Sequence, residues 1–204
     1  MVTIENLHKK FSKNEVLKGV DLTIKDGGIF AVLGPNGSGK TTLIKSILGM
    51  VIPNKGEISV LGESIKKTSE YRHKIDYLPQ IANFPSNLRV EELITMIKDL
   101  RKPTDEDQRL IELFKLNHLL DKNLGTLSGG TKQKVNIVLT FMFDSPLVIL
   151  DEPTSGLDPI SLIRLKDLIQ AEKAKGKTIL ITSHIMSFVE EVSDEIVFLL
   201  EGKI

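Results

Sequence analysis

The sequence predicts an α/β fold with a mainly parallel sheet, an N-terminal antiparallel β layer and an inserted α-helical subdomain. Two observations predict the sheets: strand patterns joined by turns open the chain, and apolar runs alternate with helical patterns after residue 145. A third observation predicts the insert, because residues 89–120 repeat apolar side chains at helical spacing. The chain therefore divides into a core and a helical insertion.

The N-terminal region is predicted to form strands and tight turns. Residues 2–7 and 20–24 have strand patterns, and a polar turn lies between them at residues 9–14. An apolar run over residues 29–33 leads into a glycine-rich loop, after which residues 41–50 have helical periodicity. A further strand at residues 57–60 completes a β layer beside this loop.

Two amphipathic helices are predicted in the insert. Their apolar positions recur at helical spacing, at Val90, Leu93, Ile94 and Ile97 in the first helix and at Leu110, Leu113 and Leu116 in the second. The segment Thr104–Asp107, after Pro103, has the form of a capped helix start and separates the two. Another helix begins near Ser128, and its largely apolar residues 135–143 predict that it is buried.

The last part of the chain alternates strands and helices. Residues 147–150, 178–182 and 195–200 have strand patterns, and residues 159–173 and 185–192 have helical ones. Continuous apolar runs of this kind are typical of parallel strands covered by helices. In such sheets ligands bind outside the carboxyl ends of the strands, so polar residues there are candidates for a site.

Composition limits the classes of function. The 204 residues, 41% of them apolar, are enough for one well-filled core. Lys+Arg and Asp+Glu are both 27, so the chain has no overall positive charge of the kind that would indicate binding to nucleic acid. The absence of cysteine excludes disulfides and thiolate chemistry. No run approaches the roughly 18 apolar residues of a membrane span, so a membrane would have to be crossed by another chain.

A nine-residue loop matches the phosphate-binding pattern G-x-x-x-x-G-K-[ST]. Glycines and an asparagine let its backbone N–H groups point inward, and a helix N-terminus adds a positive dipole end. The residues that we predict to contact phosphate are Gly34, Asn36, Gly37, Ser38, Gly39, Lys40, Thr41 and Thr42. Lys40 is expected to reach the β- and γ-phosphates and Thr41 to ligate Mg²⁺. A purely structural glycine turn is the alternative interpretation.

Two carboxylates follow the apolar run at residues 147–150. Asp151 is predicted to hold Mg²⁺, directly or through water. Glu152 is then free to orient a water molecule near the γ-phosphate and accept its proton. The alternative is a solvated loop at the end of a strand.

The segment Leu127–Gly130, Leu-Ser-Gly-Gly, resembles the signature motif of ABC-type ATPases. Ser128 is a good N-cap, and Gly129 and Gly130 leave helix N–H groups uncovered, which favours an anion site. In that family two cassettes pair head to tail, and each ATP lies between one P-loop and the partner's signature motif. The resemblance therefore implies a dimer with a second nucleotide-binding subunit. By itself the tetrapeptide is also a common cap or turn.

Other matches extend the resemblance over nearly the whole chain. Gln80 corresponds to the Q-loop glutamine, which contacts Mg²⁺ and the attacking water in the family, and His184 resembles the switch histidine that hydrogen-bonds the γ-phosphate. Phe11 stands where the family places an aromatic that stacks on adenine, although it could equally pack beneath the first hairpin. Residues 155–158 resemble the D-loop, and Asp158 with Pro159 also has the pattern of a helix start.

The sequence departs from the family at three places. The signature motif continues with Thr131 and ends at Lys134, where relatives commonly have Gln and Arg. A second glycine, Gly28, stands in the turn where an acidic residue is usual. The chain ends at Ile204, where many relatives continue.

The resemblance implies the nucleotide-binding subunit of an ABC transporter, with ATP and Mg²⁺ as cofactors and a transmembrane permease as partner. It implies a cytoplasmic protein, peripheral on the membrane through that permease. One domain of 204 residues is expected, with residues 1–80 and 145–204 as a RecA-like core and 81–144 as the helical subdomain. We expect the permease to meet a groove beside Gln80 at residues 81–87, with Phe84 exposed. The compact insert and the segment Arg89–Leu93 faintly resemble exporter-like cassettes with separate membrane subunits.

Two alternatives remain at this stage. A soluble ABC-type ATPase acting on DNA or ribosomes is disfavoured by the balanced charge and by the absence of a long insertion or a second cassette. A non-hydrolysing nucleotide-binding module is disfavoured because Glu152, Gln80 and His184 are all present.

Overall fold

The computed structural model describes residues 1–101 and 107–204, which form two sheets with helices around them. The predicted helix cap at residues 104–106 lies outside the described residues. The four-stranded antiparallel sheet has the order β2-β1-β4-β5. Its strands are β1 (Val2–Phe11), β2 (Asn14–Ile24), β4 (Lys55–Val60) and β5 (Glu63–Ser64).

The first hairpin is longer than the sequence predicts. Residues 9–11 belong to β1 and pair with β2 in the register Lys9↔Leu17 and Phe11↔Asn14, so the predicted polar turn at residues 9–14 is wrong. The turn is confined to Ser12 and Lys13, where Ser12 has φ 52°. This end of the hairpin is mostly exposed, so its strands lack the apolar alternation by which a strand is recognised.

The five-stranded sheet is parallel and has the order β6-β7-β8-β3-β9. Its strands are β3 (Gly28–Leu33), β6 (Ile75–Leu78), β7 (Leu147–Asp151), β8 (Thr178–Ser183) and β9 (Glu195–Phe198). β7 and β8 are buried on both faces, which explains their continuous apolar runs. Because β8 lies between β7 and β3, the segments that follow β3 and β7 leave the same edge of the sheet on either side of it.

The helices are α1 (Lys40–Ile47), α2 (Val90–Leu100), α3 (Asp107–Leu113), α4 (Gly129–Phe141), α5 (Pro159–Ala174) and α6 (Met186–Val192). Short 3₁₀ turns cover Glu70–Lys74, Asn117–Leu119 and Leu124–Thr126. Three predicted helix ends are wrong: α1 stops before Met50, α4 stops before Phe143, and Leu116 lies beyond α3. The strand predicted over residues 195–200 ends at Phe198. After α3 the chain turns through Lys115, which has φ 55°, so the helix cannot continue to Leu116.

The parallel sheet divides the core into two apolar clusters. Alternate residues of β3 face opposite ways: Ile29 and Ala31 pack with α2, α4 and α5, whereas Phe30 and Val32 pack with α1 and the antiparallel sheet. The helical segment thus shares a core with one face of the parallel sheet. Phe84 is partly buried in that same cluster, so its predicted exposure is wrong. The exposed apolar residue of this loop is Ile81, at 74%.

An ion pair joins the end of α2 to the sheet. Arg101 Nη1 lies 2.6 Å from Asp76 Oδ1 in β6, and Nη2 donates to Ser145 Oγ at 2.9 Å. The guanidinium also packs over the ring of Phe143 at 4.5 Å from its centroid. Burial raises the pKa of Asp76, and the charge of Arg101 opposes that shift. The pair therefore links two chain segments through a carboxylate that is almost inaccessible to solvent.

Candidate functional site

The glycine-rich loop connects β3 to α1 at the carboxyl edge of the parallel sheet. A Cβ atom at Gly34 would lie 2.3 Å from the carbonyl oxygen of Leu199, so no other residue fits there without a shift of the backbone. Gly39 has φ 110° and precedes the first helical residue, Lys40. These two glycines bring the backbone close to the strands around it and let the chain turn directly into α1.

A cavity of about 430 Å³ lies over this loop. It is lined by Phe11, Asn14, Val16, Asn36, Gly37, Gly39, Lys40, Thr41, Thr42, Gln80 and Glu152. The structure therefore brings Phe11, Gln80 and Glu152, which are far apart in sequence, to the phosphate-binding loop. Sequence reasoning missed Asn14 and Val16, which reach the cavity because β2 begins earlier than predicted.

Lys40 lies at the base of the cavity and is almost fully buried. Its Nζ donates to the carbonyl oxygens of Gly34 at 2.7 Å and Pro35 at 3.1 Å. The same atom lies 3.1 Å from Glu152 Oε1. The lysine thus connects the loop to the carboxylate that follows β7.

Glu152 is 2% exposed and is held by its backbone as well as its side chain. Its N–H donates to the carbonyl oxygen of Thr182 in β8 at 3.1 Å, and Oε2 lies 2.8 Å from Nδ1 of His184. The residue has φ 51°, a left-handed conformation that costs on the order of 1–3 kcal/mol for a non-glycine residue. Such strain persists only where the surroundings enforce it, and here β8 does so.

The same strand positions the glycine-rich loop. Gly34 N–H donates to the carbonyl oxygen of Ser183 at 3.1 Å, next to the residue that holds Glu152. Two adjacent carbonyls of β8 therefore fix the beginning of the loop and the position of Glu152. Gly34 and Ser38 do not line the cavity, but Ser38 Oγ is buried and has no hydrogen-bond partner among the described residues.

Asp151 is fully buried beneath the cavity. Its Oδ1 accepts a hydrogen bond from Thr182 Oγ1 at 2.5 Å, whereas Oδ2 has no hydrogen-bond partner in the described part of the chain. Burial raises the pKa of Asp151, and the Thr182 and Thr41 hydroxyls oppose that shift. Thr182 is a further residue that sequence reasoning missed. Its only sign in the sequence is a hydroxyl at the end of an apolar strand.

A Mg²⁺ ion fits this donor set. Residues 1–101 and 107–204 contain no group of three or more His, Cys, Asp or Glu side chains that could hold a metal by themselves. Mg²⁺ usually binds one or two carboxylates, waters and substrate phosphates, so such a group is not required. The unpartnered buried oxygen of Asp151 and the nearby Thr41 hydroxyl are ligands of the right kind.

The predicted signature motif lies outside the cavity. Ser128 caps α4 by accepting a hydrogen bond from Thr131 N–H at 3.3 Å, as predicted. A Cβ atom at Gly130 would lie 2.4 Å from the carbonyl oxygen of Gly156, so the start of α4 packs against the loop after β7. Ser128 and Gly129 are exposed. One chain therefore carries two helix N-termini that do not share a cavity.

The loop at Gly156 leads into α5 through a charged cap. Asp158 accepts a hydrogen bond from Ser161 N–H at 2.9 Å and lies 2.7 Å from Lys134 Nζ. Lys134 first, and then the Ser161 hydrogen bonds, hold the pKa of Asp158 well below its usual range. Through this contact Lys134 ties α4 to α5.

A sequence model described as ABC transporter matches residues 17–155, which is more than half of the chain. The chain belongs to the ABC transporter family. It is 32% identical over 208 residues to Nod factor export ATP-binding protein I of Burkholderia orbicola (strain AU 1054), covering 99% of this chain and 68% of that protein. It is 33% identical over 205 residues to the lantibiotic transport ATP-binding protein SrtF of Streptococcus pyogenes, covering 100% and 89%.

Solved structures share the fold. The structure of an ATP binding subunit of an ABC transporter superposes with a TM-score of 0.92 at 32% identity, covering 100% of this chain and 88% of that one. The dimeric ATP-binding cassette MJ0796 in a post-hydrolysis state with ADP and Pi has a TM-score of 0.89 at 24% identity, covering 100% and 96%. The predicted family, the α/β class and the ATPase activity of an ABC cassette are thereby confirmed. The roles of individual side chains stay predictions.

Proposed function

We propose that this chain energises a transporter by binding Mg·ATP, pairing head to tail with a second cassette and hydrolysing the γ-phosphate. The observation that carries this proposal is the contact of Glu152 with both Lys40 and His184 at the edge of the cavity. A phosphate-binding lysine and a candidate general base thus meet at one point. Phosphoryl transfer to water depends on charge stabilisation at the phosphate and on a group that positions the water, and these two residues can supply them.

ATP binding is proposed along the length of the cavity. Adenine stacks on the ring of Phe11, which is half exposed. Lys9 Nζ lies 4.8 Å from the centroid of that ring. Such stacking contributes on the order of 1–3 kcal/mol by analogy with base–aromatic contacts. The phosphates lie against the loop from Asn36 to Thr42, where Lys40 and the dipole of α1 neutralise their charge.

Magnesium is proposed to be held by Thr41, Gln80 and Asp151. When bound, the ion supplies charge neutralisation for the β- and γ-phosphate oxygens. Asp151 is pre-positioned by the Thr182 hydroxyl, which occupies one carboxylate oxygen and leaves the other available. Gln80 lines the cavity as an exposed side chain, so it can approach both the ion and the water.

Hydrolysis is proposed to use Glu152 as the general base. One oxygen of its carboxylate accepts the proton of water as the water oxygen attacks the γ-phosphorus and the bond to the β-phosphate oxygen breaks. The ionised carboxylate of Glu152 can only accept a hydrogen bond, so His184 Nδ1 is the donor to Glu152 Oε2 at 2.8 Å. His184 therefore orients the base, and in this proposal it approaches the γ-phosphate only when ATP is bound.

The second cassette is proposed to supply Ser128, Gly129 and Gly130 to the cavity of the first. The exposed start of α4 and its separation from the cavity of the same chain support this pairing. The relative MJ0796 is dimeric in its post-hydrolysis state. An anion at this helix N-terminus would then come from ATP bound to the partner.

The permease is proposed to be a separate transmembrane chain. Within residues 1–101 and 107–204, no helix is both long and apolar enough to cross a membrane. The relatives are named for the export of Nod factors and the transport of lantibiotics, so we favour an exporter. We propose peripheral attachment on the cytoplasmic face through residues 81–87, with exposed Ile81 as the contact in place of Phe84. Residues 81–144 form the helical subdomain in this proposal, and residues 1–80 and 145–204 form the core.

The Glu152→Gln variant tests this function. It keeps the shape of the side chain and removes its basicity, so it should bind ATP, accumulate as an ATP-bound dimer and lose at least about 100-fold in turnover. Phosphate release and size-exclusion chromatography with and without ATP measure both effects. The matched control, Glu190→Gln at an exposed position of α6, should behave as wild type. An unimpaired rate for Glu152→Gln would exclude Glu152 as the base.

A further inference from the structure

Helix α4 carries a polar stripe that the signature motif does not explain. Gln133, Asn136 and Thr140 are spaced along one face of the helix and are 3%, 4% and 4% exposed. Burying an amide without hydrogen bonds is costly, so each side chain needs a partner inside the protein. The other buried side chains of α4 are apolar and belong to the cluster on one face of the parallel sheet.

The two amides form a continuous bridge between two backbone carbonyls. Asn136 Nδ2 donates to the carbonyl oxygen of Pro79 at 3.1 Å and to Gln133 Oε1 at 3.4 Å. Gln133 Nε2 donates to the carbonyl oxygen of Pro153 at 3.2 Å. Because a carbonyl oxygen can only accept a hydrogen bond, each amide must point its NH₂ group at the backbone carbonyl at its end of the bridge.

The bridge ends beside two residues of the proposed hydrolytic site. Pro79 precedes Gln80, and Pro153 follows Glu152. Their segments leave neighbouring parallel strands, β6 and β7, at the same edge of the sheet. A proline has no N–H, so each offers only its carbonyl for fixing the backbone there.

We propose that Asn136 and Gln133 are positioning residues that set the distance of Gln80 from Glu152 through α4. This inference rests on the proposed function, which gives Gln80 and Glu152 roles in hydrolysis. Loss of the bridge frees the Gln80 segment from the Glu152 segment without removing any group that touches ATP. Turnover therefore suffers more than binding.

The test compares Asn136→Ala with wild type as the purified full chain. We expect kcat for ATP to fall about tenfold while KM changes less than about twofold, as for a positioning defect. Gln133→Met, which is close to isosteric, should lower kcat similarly. It should add nothing in the Asn136→Ala background, because both changes break the same bridge. If Asn136→Ala fails to fold, Gln133→Met carries the test alone.

A matched control lies one turn further along the same face. Thr140 Oγ1 donates to the carbonyl oxygen of Asn136 at 2.9 Å within α4, and the carbonyl oxygen of Tyr77 lies 3.5 Å away. Thr140→Val keeps the shape and removes a buried hydrogen bond outside the bridge. It should lower the melting temperature about as much as Asn136→Ala and leave kcat unchanged. An equal fall of kcat in Thr140→Val would mean that the stripe is only structural, and would overturn the proposal.

A double variant with Gln80→Ala distinguishes a failure of the bridge proposal from a failure of the proposed function. If Asn136 acts by positioning Gln80, Asn136→Ala should have no further effect on kcat in the Gln80→Ala background. Equal losses in both backgrounds, or an unchanged kcat in Asn136→Ala alone, would overturn the bridge and leave the proposed function intact. An unchanged kcat in Gln80→Ala would instead overturn the role of Gln80 in hydrolysis, and the bridge with it.

Discussion

Nδ1 of His184 lies 2.8 Å from Oε2 of Glu152. The other carboxylate oxygen lies 3.1 Å from Lys40 Nζ, so the carboxylate is held on both sides. In a neutral imidazole whose Nδ1 donates to Glu152, Nε2 can only accept a hydrogen bond. Donation to a γ-phosphate then requires a doubly protonated ring or a turn of the side chain. Orienting Glu152 is therefore as important a part of the proposed role of His184 as contacting phosphate.

We expect His184→Ala to lower kcat by about 100-fold, because the base loses its orienting partner. ATP affinity should change only a few-fold, since His184 does not line the cavity. Steady-state phosphate release and titration with a fluorescent ATP analogue measure the two quantities. His73→Ala is the control, because that side chain is 78% exposed and its carboxylate neighbour, at 4.0 Å, is Glu70 and not Glu152. A loss of affinity as large as the loss of kcat would contradict an orienting role.

We expect Lys40→Ala to weaken ATP binding by at least about 100-fold, because a charge-assisted contact with phosphate is lost. Equilibrium binding of ATP with Mg²⁺ checks this. Lys40→Arg should not restore affinity, since a planar guanidinium does not fit the buried position of the ammonium. Lys45→Ala, an exposed lysine of the same helix, serves as the control. Wild-type affinity in Lys40→Ala would rule out the phosphate contact.

Hydrolysis should depend on magnesium through Asp151. Chelation with EDTA should abolish turnover, and Asp151→Asn should raise the Mg²⁺ concentration for half-maximal activity at least about tenfold. The asparagine keeps the Thr182 contact but offers the ion a neutral oxygen. A magnesium titration of the ATPase rate measures the change, with Asp167→Asn on the exposed side of α5 as control. A superimposable titration curve for Asp151→Asn would contradict the assignment.

The Arg101–Asp76 pair predicts a pH-dependent stability change. Arg101→Met leaves a buried carboxylate without its cation and should lower the free energy of unfolding by about 2–4 kcal/mol near neutral pH. Burial already raises the pKa of Asp76 in the native state, and loss of Arg101 raises it further. A raised native pKa means that stability is lowest above that pKa and recovers as the carboxyl protonates.

The deficit of Arg101→Met should therefore shrink when the pH is lowered from about 7.5 to about 5.5. Urea unfolding of wild type and variant at both pH values measures it. The double variant Arg101→Met with Asp76→Asn is the control, because it removes the buried charge as well. It should be more stable than Arg101→Met at neutral pH, and its own free energy of unfolding should lack the change between the two pH values that titration of Asp76 causes in Arg101→Met. A deficit of equal size at both pH values in Arg101→Met would show that Asp76 is not the cause.

Much of the fold and site could be predicted because the relevant patterns are local. The loop from Gly34 to Thr42 combines a strand, a turn and a helix start within a short segment, and the caps at Ser128 and Asp158 were predicted for the same reason. The helical repeat at Val90–Leu100 also depends only on neighbouring residues. Predictions failed where exposure hides the pattern, as in the hairpin at residues 9–14, or where distant contacts bury a residue, as for Phe84.

The sequence by itself determined the family, four of the five strands of the parallel sheet and the residue types at the phosphate loop, because motif spacing and periodicity are properties of the unfolded chain as well. The short edge strand β6 was not predicted. Only the tertiary structure decided which of these residues meet. The insertion of β8 between β7 and β3 places Ser183 and Thr182 against Gly34 and Glu152. Strand order depends on packing between segments far apart in the chain. The contact of Glu152 with Lys40 and the amide bridge of α4 arise from that packing and have no local signature in the sequence.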